Sequence, residues 1–200
     1  MKKLILTVCV AILFVAVSAH GTEYTSEANW NTAVSGLTVL TEDFLDASFD
    51  DFTIQSDWID AGSTGGGGPG GISSGQWLDR VDTDDNGGVV WETTITFDET
   101  IYGFGGYWDL NGPTGPGEEI GLIINGSQEA YIPRTAAGVF YGVAGIGGFD
   151  TVVIRGLNNY TGYVETFTLD DAVYAVPVPG AVLLGMLGLS VAGVKLRKHA

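Results

Sequence analysis

Cysteine and histidine are nearly absent from this 200-residue chain, which has one Cys, at Cys9, and two His, at His20 and His199. Lysine is missing altogether between Lys3 and Lys195. A long interior with neither thiol nor imidazole excludes a Ser-His-Asp or Cys-His nucleophilic site and a His/Cys zinc site. It also excludes disulfides, so the fold is held by packing. The only interior cations are Arg80, Arg134 and Arg155; against 24 acids, all between Glu23 and Asp171, they leave a formal charge of −21 there. Such a surface repels a phosphate backbone, which excludes nucleic-acid binding, and it disfavours a peripheral hold on anionic lipid.

What is abundant lies at the two ends. Residues 1–19 open with Lys2 and Lys3, run apolar from Leu4 to Val17 and reach small residues at Val17, Ser18 and Ala19. This is the pattern of a secretory signal peptide cleaved after Ala19. This mostly apolar run of 14 residues falls short of the roughly 20 that span a bilayer. Residues 176–200 read Val176-Pro177-Val178-Pro179-Gly180, an apolar stretch from Ala181 to Val194, then Lys195, Arg197 and Lys198. An apolar helix with a basic end is a stop-transfer tail whose positive end stays in the cytoplasm. From Pro179 to Val194 is 16 residues, about 24 Å of helix against a hydrocarbon core of about 30 Å. A short, glycine-bearing span suits a segment handed to a membrane enzyme. A GPI tail would finish apolar, which this one does not.

The order of Pro-x-Pro break, apolar segment and Arg/Lys cluster resembles the PEP-CTERM sorting signal of exported bacterial proteins, with Pro177, Pro179, Arg197 and Lys198 matching its motif. Val178 stands where that family's name-giving Glu would sit, so the tail resembles a variant of the signal. The resemblance implies an exosortase-type membrane protease as partner, a transient inner-membrane tether through the tail, and final placement at the cell surface or outside the cell.

Between the addresses, residues 20–175 provide 156 residues, enough for one well-buried core. The pattern is mostly period two, clearest where Val89, Trp91, Thr93, Ile95 and Phe97 fall on one face. Further strands are expected at 37–40, 52–59, 101–108, 119–124, 128–133, 139–143, 149–155 and 163–174, with Asn125-Gly126 as a type I′ hairpin turn. One helix fits Ser26 to Ser35, capped by Thr25 or Ser26 and stopped by Gly36, as a plug at the end of the β structure. Gly62 to Gly71 reads as a surface loop. The expected class is all-β: an antiparallel β-sandwich with one short N-terminal helix, flanked by the signal peptide and the C-terminal membrane helix. The ending Phe167-Thr168-Leu169-Asp170-Asp171-Ala172-Val173-Tyr174, with the earlier Thr41-Glu42-Asp43-Phe44, resembles the closing and opening strands of jelly-roll domains carried by PEP-CTERM proteins. That likeness implies a jelly-roll-like fold and an extracellular-matrix or surface role.

Three kinds of chemistry fit what is present. Tyr107, Trp108 and Asp109, with Trp77, compose a sugar platform, since flat rings stack on pyranose faces and neighbouring acids accept hydroxyls; core packing of the same rings is the competing reading. Asp82, Asp84 and Asn86 begin a calcium-loop pattern that lacks the closing Glu of an EF-hand. A second place for calcium, implied by the jelly-roll likeness, joins Glu42 to Asp170 or Asp171. Calcium is thus the cofactor these residues suit, and a solvated acidic turn is the alternative for Asp82 to Gly88. Carboxylate catalysis would draw on Glu92, Glu118, Glu119, Glu129 or Glu165. The favoured function is a non-catalytic exported surface or matrix protein that binds extracellular polysaccharide; the alternative is a secreted carboxylate-dependent glycoside hydrolase.

Overall fold

The computed structural model describes residues 21–46, 49, 51–60, 71–82, 91–110, 119–157, 165–178 and 180, with only the backbone of 59 and 60. The expected signal peptide, Pro179, the tail beyond Gly180 with Arg197 and Lys198, most of the glycine-rich loop, Asp84, Asn86 and Glu118 lie outside the described residues. The elements run β1 (Thr22–Tyr24), α1 (Glu27–Ala33), β2 (Thr38–Glu42), β3 (Phe52–Ser56), α2 (Asp57–Asp60), β4 (Gly71–Ser73), β5 (Gln76–Val81), β6 (Glu92–Asp109), β7 (Ile120–Ile124), β8 (Ser127–Ile132), β9 (Ala137–Gly156) and β10 (Glu165–Val176). Every strand pairing is antiparallel. The chain is therefore all-β with short helical additions.

Two long strands organise the sheet. β6 and β9 pair along most of their lengths, but the register shifts between Thr96 and Ile101 and again before Gly103, where Asp98, Glu99 and Thr100 are exposed. Such irregularities bend a strand and let one strand serve two sheet regions. The first half of β6 and the second half of β9 belong to one wing, bordered by β3 on one side and by β7 and β8 on the other. The second half of β6 and the first half of β9 belong to another, bordered by β1 and by β10. On its outer edge β10 carries β5 along residues 165–169 and β2 along residues 172–176, end to end. Phe97 of the first wing meets Phe104 and Tyr174 of the second, with ring centroids 5.9 and 5.2 Å apart. Ile95, Leu122, Ile124 and Ile154 join Trp108, Phe167 and Leu169 in the same buried cluster, so the inner faces of both wings fill one core.

Several boundaries differ from expectation for physical reasons. The runs expected as separate strands at 89–98 and 101–108 are one strand, as are those at 139–143 and 149–155, because the intervening residues bend without leaving the ladder. The strand expected to reach Ile59 stops at Ser56, where α2 begins. β5 was not expected: its inward face is Trp77, Asp79 and Val81, and the buried acid interrupts the apolar alternation. Asn125 and Gly126 both have positive φ, +52° and +78°, as a type I′ turn requires.

Helix α1 does not plug an end. It lies across the outer face of the second wing, where Trp30, Val34, Phe140, Ala144, Val173 and Ala175 form a second buried cluster. The floor beneath it is glycine. A Cβ on Gly103 would sit 2.9 Å from Val34 Cγ1 and 3.0 Å from Trp30 Cζ2, and one on Gly142 would sit 3.0 Å from Trp30 Cδ1. The missing side chains are what allow the indole to settle onto the sheet, where its N–H donates to the Val143 carbonyl at 2.9 Å.

Candidate functional site

Beside α1, on the same outer face, a groove of about 430 Å³ is lined by residues from six elements, chiefly Glu27 of α1, Gln76 of β5, Tyr107 and Asp109 of β6, and Asp170 and Asp171 of β10. Its geometry follows from an irregularity in β10. The pairing with β6 shifts between Asp170 and Val173, and Asp171 takes φ +44°, a left-handed conformation that Asp tolerates better than most residues. The Asp170 carboxylate stabilises the bend by accepting the Asp171 backbone N–H at 2.9 Å and the Gln76 side-chain amide at 3.1 Å. Asp171 is thereby pushed outward. The same bulge separates β5 from β2 along the edge.

On the opposite rim Tyr107 is half-buried and its hydroxyl donates to Glu27 at 2.8 Å, which ties α1 to β6. Its ring stands edge-on to Phe140, centroids 5.7 Å apart, so its tilt is set by the cluster beneath the helix. The hydrogen bond to Glu27, helped by burial, raises the Tyr107 hydroxyl above the ordinary phenol value. The Asp171 carboxyl is also raised, first by burial and then by repulsion from Asp170, Asp43 and Glu27. Among the described residues, no cation lines the groove. It repels anions and offers carboxylates, an amide and the Thr41 and Thr168 hydroxyls to a ligand's hydroxyl groups, beside one aromatic edge.

The link between Tyr107 and Glu27 predicts a titration result. Glu27→Gln removes the charge that holds the phenolic proton, so Tyr107 ionises at lower pH in the variant. Tyr131, held up to about 12 chiefly by its hydrogen bond with Glu119, remains where it was. Tyrosine-ring NMR through alkaline titration separates the two.

The residues singled out from sequence are brought together only in part. Tyr107, Asp109, Asp170 and Asp171 share the groove, and Glu42 lies opposite Ala172 in the β2–β10 pairing, its carboxylate accepting the Phe44 N–H at 2.8 Å. Trp108 and Trp77 do not form a platform. They are 0% and 5% exposed, because each points to the inner face of its strand and packs in the core, Trp108 against Phe104 and Phe167 and Trp77 against Phe49. Asp82 directly follows β5, its N–H bonded to the Trp91 carbonyl at 3.0 Å. Among the described residues no three His, Cys, Asp or Glu side chains are grouped to hold a metal ion.

The glutamates considered for catalysis are dispersed. Glu92 is paired with Arg155, Glu129 accepts the Gly21 N–H, Glu119 bonds Tyr131, and Glu165 is 2% exposed. None of these lines the groove. Glu27 and Gln76 were missed from sequence, since nothing short of the strand order brings a helix residue and a β5 residue to the same place. Pro177 follows directly on the end of β10 and is exposed, so the Pro-x-Pro segment starts where the sheet stops. No described helix is long and apolar enough to cross a membrane. Comparison with protein-family models, with curated proteins and with solved structures gives no match.

Proposed function

We propose that the chain is an exported, non-catalytic surface or matrix protein whose β domain, a jelly-roll-like sandwich, holds a neutral carbohydrate in the groove beside α1. The observation that carries this reading is the lining itself: carboxylates, hydroxyls and an amide beside the half-buried Tyr107 ring, with no cation among the described lining residues. Carboxylates accept sugar hydroxyls through charge-assisted hydrogen bonds, and a fixed ring supplies apolar contact without loss of rotamer freedom. The absence of cationic lining disfavours uronic and sulfated sugars. Export rests on the leader at 1–19, and sorting by an exosortase-type protease rests on the variant PEP-CTERM-like tail at 176–200.

Calorimetric titration of the protein with neutral gluco-, xylo- and mannooligosaccharides tests the groove. One of these is expected to bind, with at least a tenfold loss in Tyr107→Ala and in Asp170→Asn. No binding to any of the three classes, or binding that neither substitution weakens, overturns the reading.

A further inference from the structure

Where β6 passes from the first wing to the second, its irregular stretch between Thr96 and Ile101 borders a cavity of about 260 Å³. Phe97 and Ile101 of β6 and Tyr174 of β10 form its floor. All three are buried, and the Phe97 and Tyr174 rings stand 5.2 Å apart, so the floor is apolar and fixed. The cavity shares no lining residue with the groove beside α1. Leu40 and Tyr174, paired across β2 and β10, line the cavity, whereas their neighbours Thr41 and Val173, also paired, line the groove. Successive residues of a strand face opposite ways, so the two hollows lie on opposite faces of that ladder.

The rim differs in kind from the floor. It carries the exposed acids Asp51, Asp98 and Glu99, and among the described residues no cation lines it. The Asp98 N–H donates to the Asp51 carbonyl at 2.9 Å, and the Tyr174 hydroxyl donates to Asp51 Oδ2 at 2.7 Å. One rim carboxylate is thus fixed by a residue of the floor itself. Among the described residues no three acids are grouped to hold a metal ion, so this rim does not chelate. An apolar floor beneath unanswered negative charge fits a ligand that is apolar at one end and cationic at the other. We propose that the cavity binds a primary alkylammonium, its hydrocarbon stem on Phe97, Ile101 and Tyr174 and its ammonium among Asp51, Asp98 and Glu99. The ammonium gains charge-assisted hydrogen bonds and the face of an aromatic ring, while the stem leaves water. An anion of the same length is repelled, and a neutral alcohol leaves the carboxylates unanswered. The inference is independent of sugar binding in the groove.

The test uses the full chain in non-ionic micelles, so that no charged detergent competes, and follows the Ile101 methyl signals by NMR. Addition of n-butylammonium is expected to shift them saturably. Butanol keeps the stem without the charge, and methylammonium keeps the charge without the stem. Each is expected to bind at least about tenfold more weakly, and butyrate not at all. The double variant Asp98→Asn with Glu99→Gln changes only exposed side chains and keeps the bond between Tyr174 and Asp51. It is expected to bind n-butylammonium about tenfold more weakly, with the Tyr174 ring signals in place as the check on its fold. No saturable shift with n-butylammonium overturns the proposal. So does binding of butanol or methylammonium as tight as that of n-butylammonium, or full affinity in the double variant. Diaminobutane and Nα-acetyl-lysine methylamide then separate the sources of such a group: preference for the first assigns a free amine, preference for the second a lysine side chain of another protein.

Discussion

Trp30→Ala lowers the stability of the folded chain by about 4 kcal/mol, the cost of emptying a large aromatic site that cannot close up. It cannot close because its floor is already bare backbone at Gly103 and Gly142, and because the ring is 0% exposed. The substitution also deletes the indole N–H bond to the Val143 carbonyl. The effect reaches the groove. Without the indole, α1 loses its main attachment, and Glu27 on the same helix no longer holds the Tyr107 hydroxyl. Chemical denaturation is expected to show the loss of stability, and the Tyr107 ionisation is expected to fall toward that of an ordinary phenol in the same variant. A Trp30→Phe protein retains most of the packing but not the hydrogen bond, and lies between the two.

Asp79→Ala is the second large effect, a loss of about 3 kcal/mol. Asp79 is 0% exposed and accepts the Ser56 hydroxyl at 2.8 Å, the Thr93 hydroxyl at 2.7 Å and the Arg80 N–H at 2.7 Å. It therefore ties together β3, β5 and β6, which belong to different wings, and its removal takes from the buried Ser56 and Thr93 hydroxyls and from the Arg80 N–H the acceptor they share. Asp79→Asn costs far less, because hydroxyls can turn to accept from an amide. The pH dependence separates the variants. Burial, only partly offset by the hydrogen bonds, raises the Asp79 carboxyl above 3.8, so the folded state binds its proton more tightly than the unfolded chain does. The stability this supplies is fully present below pH 3.8 and is lost as pH rises through the raised folded value. The margin of the wild type over Asp79→Asn is thus greatest in acid and shrinks toward neutrality. A margin that grew with pH would contradict this assignment.

How much of this was readable in advance depends on how local the signal is. The alternation across 89–98 was legible, and Thr93, Ile95 and Phe97 do face the core. The Asn125-Gly126 turn was legible because its chemistry is contained in two residues. β5 was not, because Asp79 on its inner face makes physical sense only once Ser56 and Thr93 are beside it. The same holds for the tryptophans. Trp77 and Trp108 looked like ligand-facing rings by composition, yet a strand sends alternate side chains to opposite faces, and the irregularities that settle which face is which in β6 lie between 96 and 103. The groove was half visible: the adjacent acids Asp170 and Asp171 interrupt an otherwise apolar closing strand, but Glu27 and Gln76 reach them only through the strand order.

That order has a consequence for how the protein is born. β10, the last described strand, is an inner one, flanked by β6 on one side and by β5 and β2 on the other. A chain emerging N-terminus first exposes β2, β5 and one side of β6 as open edges until residue 176 is free, and neither the core around Phe167 nor the bend that shapes the groove exists before then. Pairings between segments so far apart in the chain form slowly and leave sticky edges in the interim. A domain that withholds its keystone strand to the end stays unfinished until nearly all of it has been made, and the strongly negative interior keeps the waiting chains apart.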